Sequence, residues 1–167
     1  MTITPVKTKL VTVPHLGGIE ASTYMPHPYD SKKPTLVLCN SFGTSADLYR
    51  HQYQNKELNQ LVNLLAIELL GHGQTRTRTE HFTYWDSCIM NLQVLDALKI
   101  QGKVFVLGTS QGGWQTVRMA LLAPERVSDS CQSERHQGHG VDYCKNRSLA
   151  SSRSAHPWTL KMNEPSN

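Results

Sequence analysis

The sequence predicts an α/β fold, a mostly parallel sheet flanked by helices, followed by a disordered C-terminal tail. Three observations carry that prediction. Residues 35–39 (TLVLC), 63–68 (NLLAIE) and 103–108 (KVFVLG) are nearly continuous apolar runs, as suits strands buried on both faces. Helical patterns lie between the runs. Both periodicities then stop near Val127.

Each element has its own local reason. Residues 9–13 and 19–24 are short strand candidates separated by Pro14 and the Gly17-Gly18 pair, which predicts a hairpin. Pro34 introduces the first buried run. Residues 46–62 form a broken helical candidate. Residues 82–100 form the best helix, with Trp85, Cys88, Ile89, Leu92, Leu95 and Leu98 on one predicted stripe and Gly102 beyond its end. Residues 112–123 predict a second helix, with Trp114, Val117 and Ala120/Leu121 on its apolar face and Pro124 as its stop.

The two parts of the chain differ in composition. Residues 128–167 hold eight Ser, no Phe and no Ile, and only ten apolar residues without period. Such a segment buries too little apolar area to offset its ordering entropy, so disorder is expected. The expected division is a folded unit over 1–127 and a polar tail over 128–167.

Composition also excludes several classes of function. A net charge of +4 with no five-residue basic block argues against a nucleic-acid surface. No apolar run reaches the ~18–20 residues of a membrane helix, and the first ten residues lack a signal-peptide core. Four Cys in 167 residues do not make a disulfide framework. An intracellular, cytoplasmic setting is therefore expected. Cys39 and Cys88 fall on core faces and read as buried structural thiols. Cys131, His136, His139 and Cys144 are suitable zinc-ligand types, but their spacing matches no common finger, so no metal is expected.

The chemistry is carried by Gly108-Thr109-Ser110-Gln111-Gly112-Gly113, between the third run and the second helix. This is G-x-S-x-G in a strand–turn–helix context. A turn that sharp strains the serine backbone and leaves no room for side chains two positions either side. Gly108 and Gly112 meet that need. Ser110 Oγ then projects at the carboxyl end of the sheet, and the helix N-terminus favours developing negative charge. Asn40-Ser41-Phe42-Gly43-Thr44 follows the first run, where a second oxyanion N–H is expected. The expected donors are the backbone N–H groups of Phe42 and Gln111. Gly71-His72-Gly73-Gln74-Thr75 follows the second run, and His72 reads as a structural turn residue.

In this order the motifs resemble the first half of an α/β-hydrolase over 33–127. The N-S-x-G-T loop resembles that of enol-lactone hydrolases. The wider block, with Glu80-His81-Phe82-Thr83-Tyr84-Trp85-Asp86, resembles fungal hydrolases of host-selective-toxin and other secondary-metabolite clusters. The resemblance implies Ser110 as nucleophile and a small-molecule ester, lactone or thioester as substrate, with no cofactor. Some such relatives end in a peroxisomal tripeptide, and Pro165-Ser166-Asn167 is not one.

A serine nucleophile needs a His base and an acid in the order Ser, acid, His. The resemblance implies that both follow later strands. After Val127 the family pattern stops, which reads as a truncated product of a frameshift or retained intron. Within 128–167, Asp142 followed by His156 has the required order. The alternative is a non-catalytic pseudoenzyme or interaction protein, self-associating through an unpaired strand edge at 103–108.

Overall fold

The computed structural model describes residues 5–136 and 139–146, with side chains as far as Ser128. Strands β1 (Lys9–Val13) and β2 (Ile19–Tyr24) pair antiparallel, Val13 opposite Ile19 and Lys9 opposite Thr23. This is the expected hairpin. Its turn runs through Pro14 and a short 3₁₀ segment at His15–Gly17.

The three apolar runs become β3 (Thr35–Cys39), β4 (Asn63–Ile67) and β6 (Val104–Thr109). β3 lies between β4 and β6 and is parallel to both. Between β4 and β6, the two-residue β5 (Arg76–Thr77) pairs with β2. It is too short for periodicity to reveal. The sheet order is β1-β2-β4-β3-β6, with two further strands beyond β6.

Alternation along the strands divides the core between two faces. Val37, Cys39, Leu65, Ile67, Val104 and Val106 pack on one face. Leu38, Leu64 and Ala66 pack on the other, against Ala46, Tyr49 and Tyr53. The broken helical candidate resolves into a 3₁₀ turn (Ala46–Tyr49), α1 (Arg50–Gln54) and α2 (Lys56–Leu61). The break falls at Asn55, whose side chain accepts the Leu58 N–H at 3.0 Å and caps α2.

Helices α3 (Tyr84–Ala97) and α4 (Gln111–Leu122) lie on the first face; α3 buries Cys88 and Leu95 of the predicted stripe and packs Leu92 and Leu98 against the core, whereas α4 turns Trp114 and Leu121 away from it. α3 buries Ser87, Cys88, Met90, Asn91, Val94 and Leu95, and leaves Trp85 exposed. α4 buries Gly112, Gly113, Gln115, Thr116 and Met119, while Trp114 is 55% exposed and Leu121 also faces solvent. The cause is steric. The start of α4 sits against the β3 backbone, and only small residues fit there. Cys39 and Cys88 are buried as expected. Desolvation pushes both thiols up, Cys88 to about 12, so neither forms a nucleophilic thiolate near neutrality.

The backbone after Val127 differs from expectation. Residues of the polar segment form β7 (Val127–His136), parallel to β6, and β8 (His139–Asn146), antiparallel to β7. β6 is therefore not an unpaired edge. A strand edge presents N–H and C=O groups that any backbone can satisfy, whatever its side chains. Apolar patterning cannot report such a strand. Residues 147–167 lie outside the described residues.

The N-terminus of α3 is locked by a capping box. Asp86 Oδ2 accepts the Thr83 N–H at 2.6 Å and the Thr83 hydroxyl at 2.7 Å. Asp86 Oδ1 lies 2.7 Å from His15 Nε2, which ties α3 to the first hairpin. Burial pushes the Asp86 carboxyl upward, but the two Thr83 hydrogen bonds and His15 outweigh it and hold the group below the usual carboxylate range. A depressed carboxyl contributes stability above its unfolded value, near ~3.9, and loses it as pH falls through the folded value. Asp86→Asn is expected to cost about 1 kcal/mol at pH 7 and less at pH 3. Urea unfolding at the two pH values measures the difference.

Candidate active site

The connections leaving β3 and β6 run in opposite directions across the sheet. β3 leads through α1 and α2 to β4 on one side, and β6 leads through α4 to β7 on the other. Such a reversal opens a crevice at the carboxyl ends of the two strands, where open α/β sheets place their ligands. The loops that meet there are Asn40–Thr44 and the turn at Ser110.

Ser110 joins β6 to α4 with φ 54° and ψ −115°, a conformation that L residues rarely adopt. Its carbonyl accepts the N–H of Gly113 at 2.9 Å and of Trp114 at 3.3 Å, so the helix starts directly at the turn. A Cβ at position 108 would overlap the Gly112 carbonyl and stand 2.6 Å from Gly113 N. A Cβ at 112 would overlap the Cys39 carbonyl oxygen and stand 2.7 Å from that of Asn40. Both glycines are sterically required. With this packing the Ser110 side chain stays exposed. The first N–H groups of a helix, here those of Gln111 and Gly112, have no intrahelical acceptor.

The facing loop is held by buried polar groups. Asn40 donates from Nδ2 to the carbonyls of Thr44 at 2.8 Å and Ser41 at 3.1 Å, and its Oδ1 accepts the Leu69 N–H at 3.0 Å. Thr44 Oγ1 donates to the Ser41 carbonyl at 2.8 Å. Phe42, at the turn's tip, is 75% exposed, with its ring 5.8 Å from that of His72. His72 has Nδ1 2.9 Å from the Leu70 carbonyl and donates its N–H to Leu69 at 3.0 Å, in keeping with a structural turn residue.

Glu68 ties the segment after the Asn40–Thr44 loop to the turn that follows β4. It is 2% exposed, and its carboxylate accepts the Ala46 N–H at 2.8 Å on one oxygen and the Gln74 N–H at 2.7 Å on the other. A Cβ at Gly73 would overlap that carboxylate. Composition alone does not mark Glu68, because it closes an otherwise apolar run.

Ser110 and Gln111 share a cavity of about 350 Å³ with Tyr84, Trp114 and Arg118. Tyr84, Trp114 and Arg118 are functional candidates that the sequence pattern misassigned or passed over. The available signal was the i, i+4 spacing of Trp114 and Arg118 just beyond the serine. Asp142 lies in β8, in register with Ser133, and its side chain is outside the described residues, as is all of His156. In the β7–β8 register Cys131 is opposite Cys144 and His136 opposite His139.

The family model for the α/β-hydrolase fold matches residues 34–129, more than half of the chain. The chain belongs to the α/β-hydrolase fold family. A curated relative from Eremothecium cymbalariae, ethanol acetyltransferase 1, is 27% identical over 76% of this chain and 35% of its own length. A carboxylesterase structure from Nitrososphaera gargenis is 26% identical, with a TM-score of 0.63 over 74% of this chain and 44% of that one. A hydrolase structure from Pseudomonas aeruginosa is also 26% identical, with a TM-score of 0.62 over 72% and 44%. The chain thus spans less than half the length of each of these relatives.

Two stability measurements check this geometry. The strained φ/ψ of Ser110 costs on the order of 1–3 kcal/mol with any side chain. Ser110→Gly is therefore expected to be more stable than Ser110→Ala by about 1 kcal/mol, after allowing for glycine's greater freedom when unfolded. Glu68→Gln replaces one acceptor with a donor that faces a buried N–H, and is expected to cost roughly 1–3 kcal/mol. Urea midpoints of the three variants against wild type report both effects.

Proposed function

We propose that the chain acts through Ser110 as a serine hydrolase on an ester, lactone or thioester. The turn carries this reading. A serine at a sterically enforced strand-to-helix junction, exposed in a cavity, is the arrangement a nucleophilic hydroxyl needs. Ser110 Oγ attacks the acyl carbon and the carbonyl oxygen takes negative charge. The N–H groups of Gln111 and Phe42 stabilise that charge. Collapse expels the alcohol or thiol and leaves an acyl-enzyme, which water cleaves to the free acid. The proton from Ser110 passes to a base, for which His156, oriented by Asp142, is the candidate pair. No cofactor takes part.

The N-S-F-G-T loop favours an enol lactone among the substrates, and the resemblance to secondary-metabolite cluster hydrolases favours a role in toxin biosynthesis. The relative named as an ethanol acetyltransferase favours an alcohol as a second acyl acceptor besides water. Among the described residues no helix is long and apolar enough to cross a membrane, and we place the activity in the cytoplasm.

A fluorophosphonate probe tests the proposal, since it reacts covalently only with an activated serine. The wild-type chain is expected to carry one adduct on Ser110, and Ser110→Ala none. Absence of any adduct on the folded wild-type chain, with no turnover of 4-nitrophenyl butyrate, defeats it in favour of a non-catalytic protein.

A further inference from the structure

Arg118 reaches the same cavity as Ser110 from the second turn of α4. Its guanidinium carbon lies 5.3, 5.5 and 5.7 Å from the ring centroids of Tyr84, Trp85 and Trp114. Three rings therefore hold one cation, two of them from α3 and one from α4. The guanidinium donates from Nη1 to the Trp114 carbonyl at 3.1 Å. Its Nε is buried with no hydrogen-bond partner among the described residues. None of the described ion pairs involves Arg118.

A buried donor without an acceptor is costly, and Nε marks an end of this guanidinium that no described acceptor satisfies. The guanidinium carbon lies over all three rings, and of its donors only Nη1 has a described hydrogen bond. Guanidinium N–H groups match a carboxylate in a bidentate, planar arrangement. The aromatic surround lowers local dielectric, which strengthens such a pair. The cavity is also large enough for a small acyl chain between the serine and the cation.

We propose that Arg118 is a specificity-determining residue that binds a carboxylate on the substrate, so that the preferred acyl group is that of a dicarboxylic acid half-ester or half-thioester. The proposal rests on Ser110 being the nucleophile, because that fixes which end of the substrate is the reacting one. Tyr84, Trp85 and Trp114 position the guanidinium, and the aliphatic part of the acyl chain lies along Trp114.

Binding and reactivity are read separately. Quenching of tryptophan fluorescence in the full-length chain is titrated with monomethyl glutarate, methyl butyrate and inorganic phosphate. Wild type is expected to bind monomethyl glutarate at least about tenfold tighter than either of the others. That preference is expected to vanish in Arg118→Gln and to return in part in Arg118→Lys. A purely structural Arg118, cementing α3 to α4, would lower the unfolding midpoint in Arg118→Gln without changing the ratio of affinities. Equal affinities in wild type, a ratio unchanged in Arg118→Gln, or tighter binding of phosphate each overturns the proposal. The same variants are treated with the fluorophosphonate. A carboxylate preference with an unreactive Ser110 defeats the hydrolase reading and leaves the carboxylate site standing. A reactive Ser110 with no preference does the reverse.

Discussion

At position 112 the backbone of α4 approaches the carboxyl end of β3 so closely that a methyl group would overlap the Cys39 carbonyl. Two backbones meet there with no side chain between them. The approach fixes where α4 begins, and so fixes Ser110 in its unusual conformation. It also sets the height of the Ser110 turn relative to the Asn40–Thr44 loop, which follows the same β3 residues. The gain from burial elsewhere must exceed the strain at Ser110, and the two-faced core around β3 and β4 provides it.

The same constraint explains the unusual inner face of α4. A helix pressed on a sheet by apolar side chains would stand some 10 Å away. Here Gly112, Gly113 and Thr116 replace such side chains, and Gln115 is buried with them. Gln115 Oε1 accepts from the Cys88 thiol at 2.6 Å, and Asn91 Nδ2 lies 3.6 Å from Cys39 Sγ and 3.5 Å from Met119 Sδ. Weak sulfur contacts thus fill the layer between α3, α4 and β3. Trp114 and Arg118 lie outside that layer and become walls of the cavity instead of core.

Strand positions were legible because burial on both faces writes a continuous apolar run, as in 35–39 and 63–67. The serine turn was legible because only glycine fits at 108 and 112. The helix faces were legible only in part: the α3 stripe holds at Cys88 and Leu95, while the inner face of α4 carries Gly112, Gly113, Gln115 and Thr116 as well as Met119. β7 was not legible, since its place beside β6 depends on backbone pairing that any side chains permit. Glu68 and Arg118 escaped for a related reason. Their roles depend on partners far away in sequence, Ala46 for the first and Tyr84 for the second.

The proposed reactivity of Ser110 depends above all on the contact between α4 and β3 at Gly112. The rate of fluorophosphonate labelling in Gly112→Ala tests it most directly, with circular dichroism to confirm that the variant remains folded. Misplacing one oxyanion donor costs roughly 10²–10³ in rate. The account predicts a folded variant that labels at least about tenfold more slowly than wild type. A folded Gly112→Ala protein that labels at the wild-type rate would contradict it.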